Sequence, residues 1–268
     1  MINNKKVLAV IPARGGSKRL SRKNIENLFG RPLIGWAIDA ANESKYIDRV
    51  IVSTEDKEIV NIAKSSGADI PFLRPNELAG DDITMVDVIL HLLSTLEKKD
   101  ERYDYVVLLQ PTSPLRTARH IDEAFRELVE ANQNAIVSVC EAEHHPLWCN
   151  TLPEDKSMTS FLSKEIHNLR SQDLPKYYQL NGAIYICDTT LLKNEKTFLP
   201  SEGCIAFIMS QEDSIDIDTQ NDFNRAHLLF DKNIIEKSKL SDQLFDNYTK
   251  KNYGELPKSE NDILIFDF

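Results

Sequence analysis

From Val7 to Phe230, short apolar runs alternate with segments of helical periodicity, and this alternation restricts the chain to stacked β-α-β units. Val7-Leu8-Ala9-Val10-Ile11 is the first expected strand, with Pro12 as its stop. A helix is expected from Leu33 to Ser44, where Leu33, Ile34, Ala37, Ile38 and Ala41 share one face. Val50-Ile51-Val52 reads as a second strand, followed by a helix from about Asp56 to Ser66 that Gly67 ends. A third helix is expected over Met85 to Leu96. Tyr105-Val106-Val107-Leu108-Leu109 is apolar throughout, which suits burial on both faces of a parallel sheet. A helix near Ala118–Ala131 and a strand over Ala135–Val139 follow.

From about Glu141 to Leu180 the alternation stops. Pro146, Pro153 and Pro175 among scattered polar residues predict an irregular insert or small subdomain over 141–180. Strands resume at Ala183–Cys187 and Ile205–Met209, with a helix around Gln220–Phe230. The domain therefore spans 1–231, and residues 232–268 form a charged C-terminal extension. A chain of 268 residues accommodates one large α/β domain with such an insert.

Between Arg14 and Lys23 lie five positive charges and no negative one, in a chain of net charge −10. The segment, Arg14-Gly15-Gly16-Ser17-Lys18-Arg19-Leu20-Ser21-Arg22-Lys23, directly follows the first strand. A buried strand that feeds a glycine-bearing basic loop offers backbone N–H groups and cations to a polyanion. Neither a Walker sequence nor a Gly-x-Gly-x-x-Gly fingerprint is present, which counts against ATPase and dehydrogenase readings. The acidic background carries no second basic face, so duplex nucleic acid is not expected as a partner. No apolar run approaches the ~20 residues of a membrane helix and no signal-peptide core follows the first lysines, so the expectation is a cytoplasmic protein. Cys140, Cys149, Cys187 and Cys204 lack C-x-x-C spacing, and all but Cys149 read as small buried hydrophobes.

Two more polar clusters fall just after apolar strands: Gln110-Pro111-Thr112-Ser113-Pro114-Leu115-Arg116 and Asp213-Ser214-Ile215-Asp216-Ile217-Asp218. Ligands of open α/β sheets bind outside the carboxyl ends of the strands, so parallel strands would bring all three clusters to one crevice. Asp216 and Asp218 point to the same side of an extended segment and offer hard oxygens suited to Mg²⁺ beside phosphates. His144-His145 does not read as a metal pair, because adjacent residues of an extended chain face opposite ways.

Six segments in order resemble the acylneuraminate cytidylyltransferases, the CMP-nonulosonic acid synthetases. They are Ile11–Lys18 with Lys23-Asn24, Leu73–Ala79, Leu108–Arg116, Glu143–Pro146, Asn181–Tyr185 and Ser214–Asp218. The resemblance implies an α/β, Rossmann-like nucleotidyltransferase fold with a mostly parallel three-layer sheet and a homodimer made by the insert. It implies Mg²⁺-dependent transfer of CMP from CTP to a nine-carbon keto-sugar acid. Triphosphate-binding roles would fall on Arg14, Ser17, Lys18 and Lys23, and cytidine contacts on Asn24 and Arg74. Gln110 and Tyr185 would meet the sugar, with Arg170 on the sugar side. Asp216 and Asp218 would hold the metal, Asp218 sharing the catalytic role with Arg14 and Lys23. The departures, Trp148 after His-His-Pro-Leu, Ser171 (next to Arg170) where some members carry an arginine, and Phe198-Leu199 where some members have Phe-Phe, all lie on the sugar side. Three further readings remain: a CMP-Kdo synthetase, a nucleotide-sugar glycosyltransferase using Asp216-x-Asp218, and an inactive CTP-binding sensor. Pyrophosphate release separates the glycosyltransferase, and CTP binding without turnover would mark the sensor.

Overall fold

In the computed structural model, described for residues 4–163, 166, 169–170 and 173–238 (231–238 by backbone alone), a six-stranded sheet is sandwiched between helices. The strands are β1 (Val7–Pro12), β4 (Arg49–Ser53), β5 (Tyr105–Leu108), β6 (Ala135–Glu141), β7 (Tyr178–Asp188) and β8 (Cys204–Ile208), in the order β4-β1-β5-β7-β6-β8. A small antiparallel pair, β2 (Asn27–Leu28) and β3 (Arg31–Pro32), precedes the first helix and was not apparent in the sequence. All six residues of β1 are buried, which explains the unbroken apolar run at its place inside the sheet. Val7, Ala9 and Ile11 pack on one side, while Leu8 and Val10 pack on the other.

The first side is covered by α1 (Leu33–Asn42), α2 (Lys57–Ser65) and α4 (Ala118–Glu130), which bury Ile34, Ile38, Ile59 and Phe125. The other side is covered by α3 (Met85–Glu97) and α5 (Thr189–Glu195), through Ile89, Leu93, Leu96 and Leu192. This is the expected three-layer α/β architecture. Helix starts are set locally: Asp56 caps α2, and Thr84 and Thr117 form capping boxes on α3 and α4. The last helix, α6 (Gln220–Ser238), runs beyond the expected Phe230 into the extension, and 239–268 lie outside the described residues.

Five strands are parallel and β7 is reversed, pairing antiparallel with both β5 and β6. That reversal has a consequence for the insert. Glu141 pairs with Tyr178, so residues 142–177 leave and re-enter the sheet at one point, at the carboxyl end of the parallel strands. Cys140 and Cys187 are buried as expected, and Cys204 is partly buried.

Candidate active site

At the carboxyl end of β1 the basic loop is fixed from below by an acidic residue on the neighbouring strand's exit. Glu55 Oε1 accepts the Gly15 N–H at 2.8 Å, and its Oε2 accepts Arg74 Nε at 3.1 Å. Arg74 is 5% exposed, so this pair is a wall rather than a surface contact. Asn24, also buried, donates to the Arg14 carbonyl at 2.9 Å and closes the loop on itself. A Cβ on Gly15 would collide with the Asp56 carboxylate, so only glycine lets the loop come this close to the start of α2. Every loop cation has an acidic partner: Arg14 and Lys18 meet Asp81 at 2.9 and 2.5 Å, and Arg22 meets Asp56 and Glu58. Hydrogen bonds from Lys18 and Arg14 hold the Asp81 carboxyl below its ordinary range.

Arg19 and Lys23 reach across to the aspartate segment. Ile215 and Ile217 are buried in a third apolar cluster with Leu28, Leu115 and Phe223, which turns Asp216 and Asp218 the other way, toward the basic loop. The Ile217 N–H donates to the Thr112 carbonyl at 2.9 Å and ties this segment to the loop after β5. Asp218 Oδ1 lies 2.7 Å from Lys23 Nζ and its Oδ2 lies 2.6 Å from Arg19. Asp216 keeps an open face on the cleft, and its carboxyl is nevertheless pushed up, first by desolvation and then by the negative charge of Asp218. Thr112 and Lys23 counter that rise without cancelling it.

The three polar clusters meet in one cavity of about 300 Å³. Arg14, Ser17, Lys23 and Asn24 form one part of its lining, Arg74 and Gln110 another, and Asp216 and Asp218 the rest. The remaining expected residues lie elsewhere. Lys18 is turned to Asp81 and does not line the cavity. Tyr185 sits on β7 opposite Leu108, its ring 5.8 Å from Phe198; burial and then the charge of Asp216 raise its hydroxyl pKa. Arg170 is exposed on the insert and paired with Asp173 at 2.9 Å. Glu55 and Asp81 were not singled out from the sequence, and Thr112 was named only as a member of the Gln110–Arg116 cluster. Glu55 stands just after β4, so the strand-end rule that found the other clusters also points to it.

His144 and His145 share no metal site. His145 Nε2 is 3.0 Å from the Pro175 carbonyl and its ring stacks edge-on with Tyr177, closing the base of the insert. Among the described residues no group of three or more His, Cys, Asp or Glu is placed to hold a metal. Asp216 and Asp218 do present a like-charged pair of hard oxygen donors on one side of their segment, in a site where cations already gather on Asp218.

A family profile described as Cytidylyltransferase matches residues 8–239. Similar curated proteins include the CMP-N,N'-diacetyllegionaminic acid synthase of Legionella pneumophila, 36% identical across 85% of this chain and 97% of its own length. The pseudaminic acid cytidylyltransferase of Campylobacter jejuni (serotype O:2) is 32% identical over 85% of this chain and 97% of its own. The N-acylneuraminate cytidylyltransferase of Escherichia coli O18:K1:H7 is 35% identical over 92% of this chain, which spans 57% of that longer protein. Among solved structures, a CMP:2-keto-3-deoxy-manno-octonic acid synthetase complexed with CTP shares the fold at a TM-score of 0.63 and 17% identity, covering 85% of this chain and 99% of that one. The profile match, the relatives and the strand-end cavity agree: this chain belongs to the cytidylyltransferase family.

Proposed function

We propose that this chain transfers CMP from CTP to the anomeric hydroxyl of a nine-carbon 2-keto sugar acid and releases pyrophosphate. The observation that supports it most is the convergence of the basic loop and the Asp216–Asp218 pair on one cavity. Relatives named for legionaminic, pseudaminic and acylneuraminic acids supply the acceptor class.

In the proposed reaction the acceptor hydroxyl oxygen bonds to the α-phosphorus of CTP. The bond from that phosphorus to the bridging oxygen breaks, pyrophosphate leaves with that oxygen, and the hydroxyl proton passes to water. Lys23 and Arg14 sit where a triphosphate at this cavity would place its charge, and their paired carboxylates keep both cations oriented beforehand. Arg74 and Asn24 shape the cytidine end, since both are buried, Arg74 held by Glu55 and Asn24 by the Arg14 carbonyl. Gln110, which also lines the cavity, is assigned to the sugar. Asp216 and Asp218 would hold Mg²⁺, which when bound supplies charge neutralisation at the phosphates.

Trp148, Leu152 and Met158 on the insert expose apolar surface, and we read it as the contact of a homodimer. Arg170 retains an acceptor-side role only in such a dimer, since it does not line the cavity of its own chain. No helix among the described residues is long and apolar enough to cross a membrane; a cytoplasmic place for the reaction is part of the proposal.

Pyrophosphate release with CTP, UTP or ATP, against sialic, legionaminic, pseudaminic and Kdo acids with and without Mg²⁺, tests this. Release is expected only with CTP, a nonulosonic acid and Mg²⁺. Release with Kdo alone would move the acceptor class, and CTP binding without release would leave a sensor. Sedimentation tests the dimer: a monomer at micromolar concentration would remove it.

A further inference from the structure

The strands β6 and β7 fall out of register in their middle: Val137 pairs with Tyr185, whereas Val139 pairs with Leu180. Ser138 therefore faces the stretch Asn181–Ile184, within which Gly182 adopts a φ of +73°. Such a bulge strips backbone N–H groups of their ladder partners inside the core, where an unpaired donor is costly. Side chains meet the need here. Ser138 Oγ accepts the Ile184 N–H at 2.7 Å and donates to Asn181 Oδ1 at 2.6 Å, and the same Oδ1 accepts the Ala183 N–H at 3.2 Å.

The chain of bonds continues out of the sheet. Asn181 Nδ2 donates to Ser214 Oγ at 2.9 Å, and Ser214 Oγ donates to the Ser210 carbonyl at 2.5 Å. Ser138 is fully buried and Asn181 is 3% exposed, so the inner bonds of the relay are shielded from water, while Ser214 stands at its partly exposed outer end. Ser214 is two residues before Asp216, and on the far side Ile217 is tied to Thr112. Asp216 thus hangs between two anchors. One of them is the outer end of a buried relay that starts at the bulge.

We propose that Ser138, Asn181 and Ser214 are positioning residues for the transfer reaction, a relay that fixes where Asp216 and Asp218 stand. This rests on the functional reading above. The start of the basic loop is held by Glu55 and Asn24 and only Arg19 and Lys23 touch Asp218, so the relay acts mainly on the reacting end and little on CTP capture.

The experiment uses the full chain and four variants: Ser214→Ala, Ser138→Ala, the double variant, and Ser214→Thr, which keeps the hydroxyl. Turnover is measured well below each melting temperature. Ser214→Ala and Ser138→Ala are each expected to lower kcat on the order of tenfold with KM for CTP within about twofold, as small displacements of reacting groups do. Ser214→Thr is expected to restore most of kcat. The double variant is expected to lose no more than the worse single variant, since both cut one relay. Wild-type kcat in a folded Ser214→Ala protein, or kcat lost with CTP affinity in equal measure, would overturn the proposal. Should the unmodified chain release no pyrophosphate, the functional reading fails by itself. The relay is then judged by melting temperature: losses that add in the double variant would sink it, and losses that do not add would support it.

Discussion

Lys23 Nζ stands 2.7 Å from Asp218 Oδ1, joining the end of the basic loop to a segment 195 residues further along the chain. The lysine side chain is only 12% exposed, so water screens this pair less than it screens the loop's other ion pairs. The contact spans the cavity's two chemical halves, the cationic wall and the carboxylates.

Loss of either partner should therefore act on chemistry. Lys23→Ala and Asp218→Asn are each expected to lower kcat by on the order of 10²–10³, the range for removing one charge-stabilising group. Steady-state pyrophosphate release checks this, and near wild-type turnover would take that residue out of the mechanism.

Asp81 holds Arg14 and Lys18 beside the cavity and adds a negative charge where a triphosphate would arrive. Asp81→Asn is expected to tighten CTP binding roughly two- to fivefold at low salt, with the gain fading as ionic strength rises. Calorimetric titration at two salt concentrations decides it. Weaker binding at both would mean that Asp81 orders the two cations more than it competes for them.

Arg116 is 2% exposed, and its guanidinium donates to the carbonyls of Gln110 and Ala183, both at 3.1 Å. It clamps the Gln110 loop onto β7. Arg116→Ala leaves two carbonyls short of a donor and opens a cavity, so a loss of roughly 2–4 kcal/mol in unfolding free energy is expected. An unshifted urea midpoint would show that the clamp is dispensable.

His120 is 5% exposed on α4, and its Nδ1 accepts the Thr117 N–H in the capping box. Burial, the largest influence, holds its imidazole below the ordinary 6.5, against the opposing pull of Asp213. The unfolded chain then gains a proton near pH 6.5 that the folded chain refuses until lower pH, so stability falls as the pH drops below 6.5. His120→Gln, which preserves the capping pattern, should lose less melting temperature between pH 7.5 and 5.5 than the unmodified chain. Equal losses would assign the acid sensitivity to other groups.

The alternation of apolar runs and helical periods located all six strands of the main sheet and five of the six α-helices among the described residues, as at α3, expected over Met85–Leu96 and found over Met85–Glu97. The β2–β3 pair escaped because two residues per strand carry no period, and α5 escaped because seven residues barely complete two turns. The direction of β7 was equally hidden. Ala183–Cys187 reads the same in either orientation, and only its pairing with β5 and β6 fixes it.

The sequence by itself determined that the basic loop, the Gln110–Arg116 segment and the two aspartates each leave a strand, because hydrophobic period and loop composition are local properties. It also determined that Asp216 and Asp218 share a side, since residues two apart in an extended segment face the same way, and the burial of Ile215 and Ile217 agrees with that. Tertiary structure alone decided which carboxylate answers which cation: Asp81 for Lys18, Asp218 for Lys23, Glu55 for Arg74. Ion pairs between distant segments depend on where packing brings side-chain ends, and neither the loop's charge count nor its spacing records those distances.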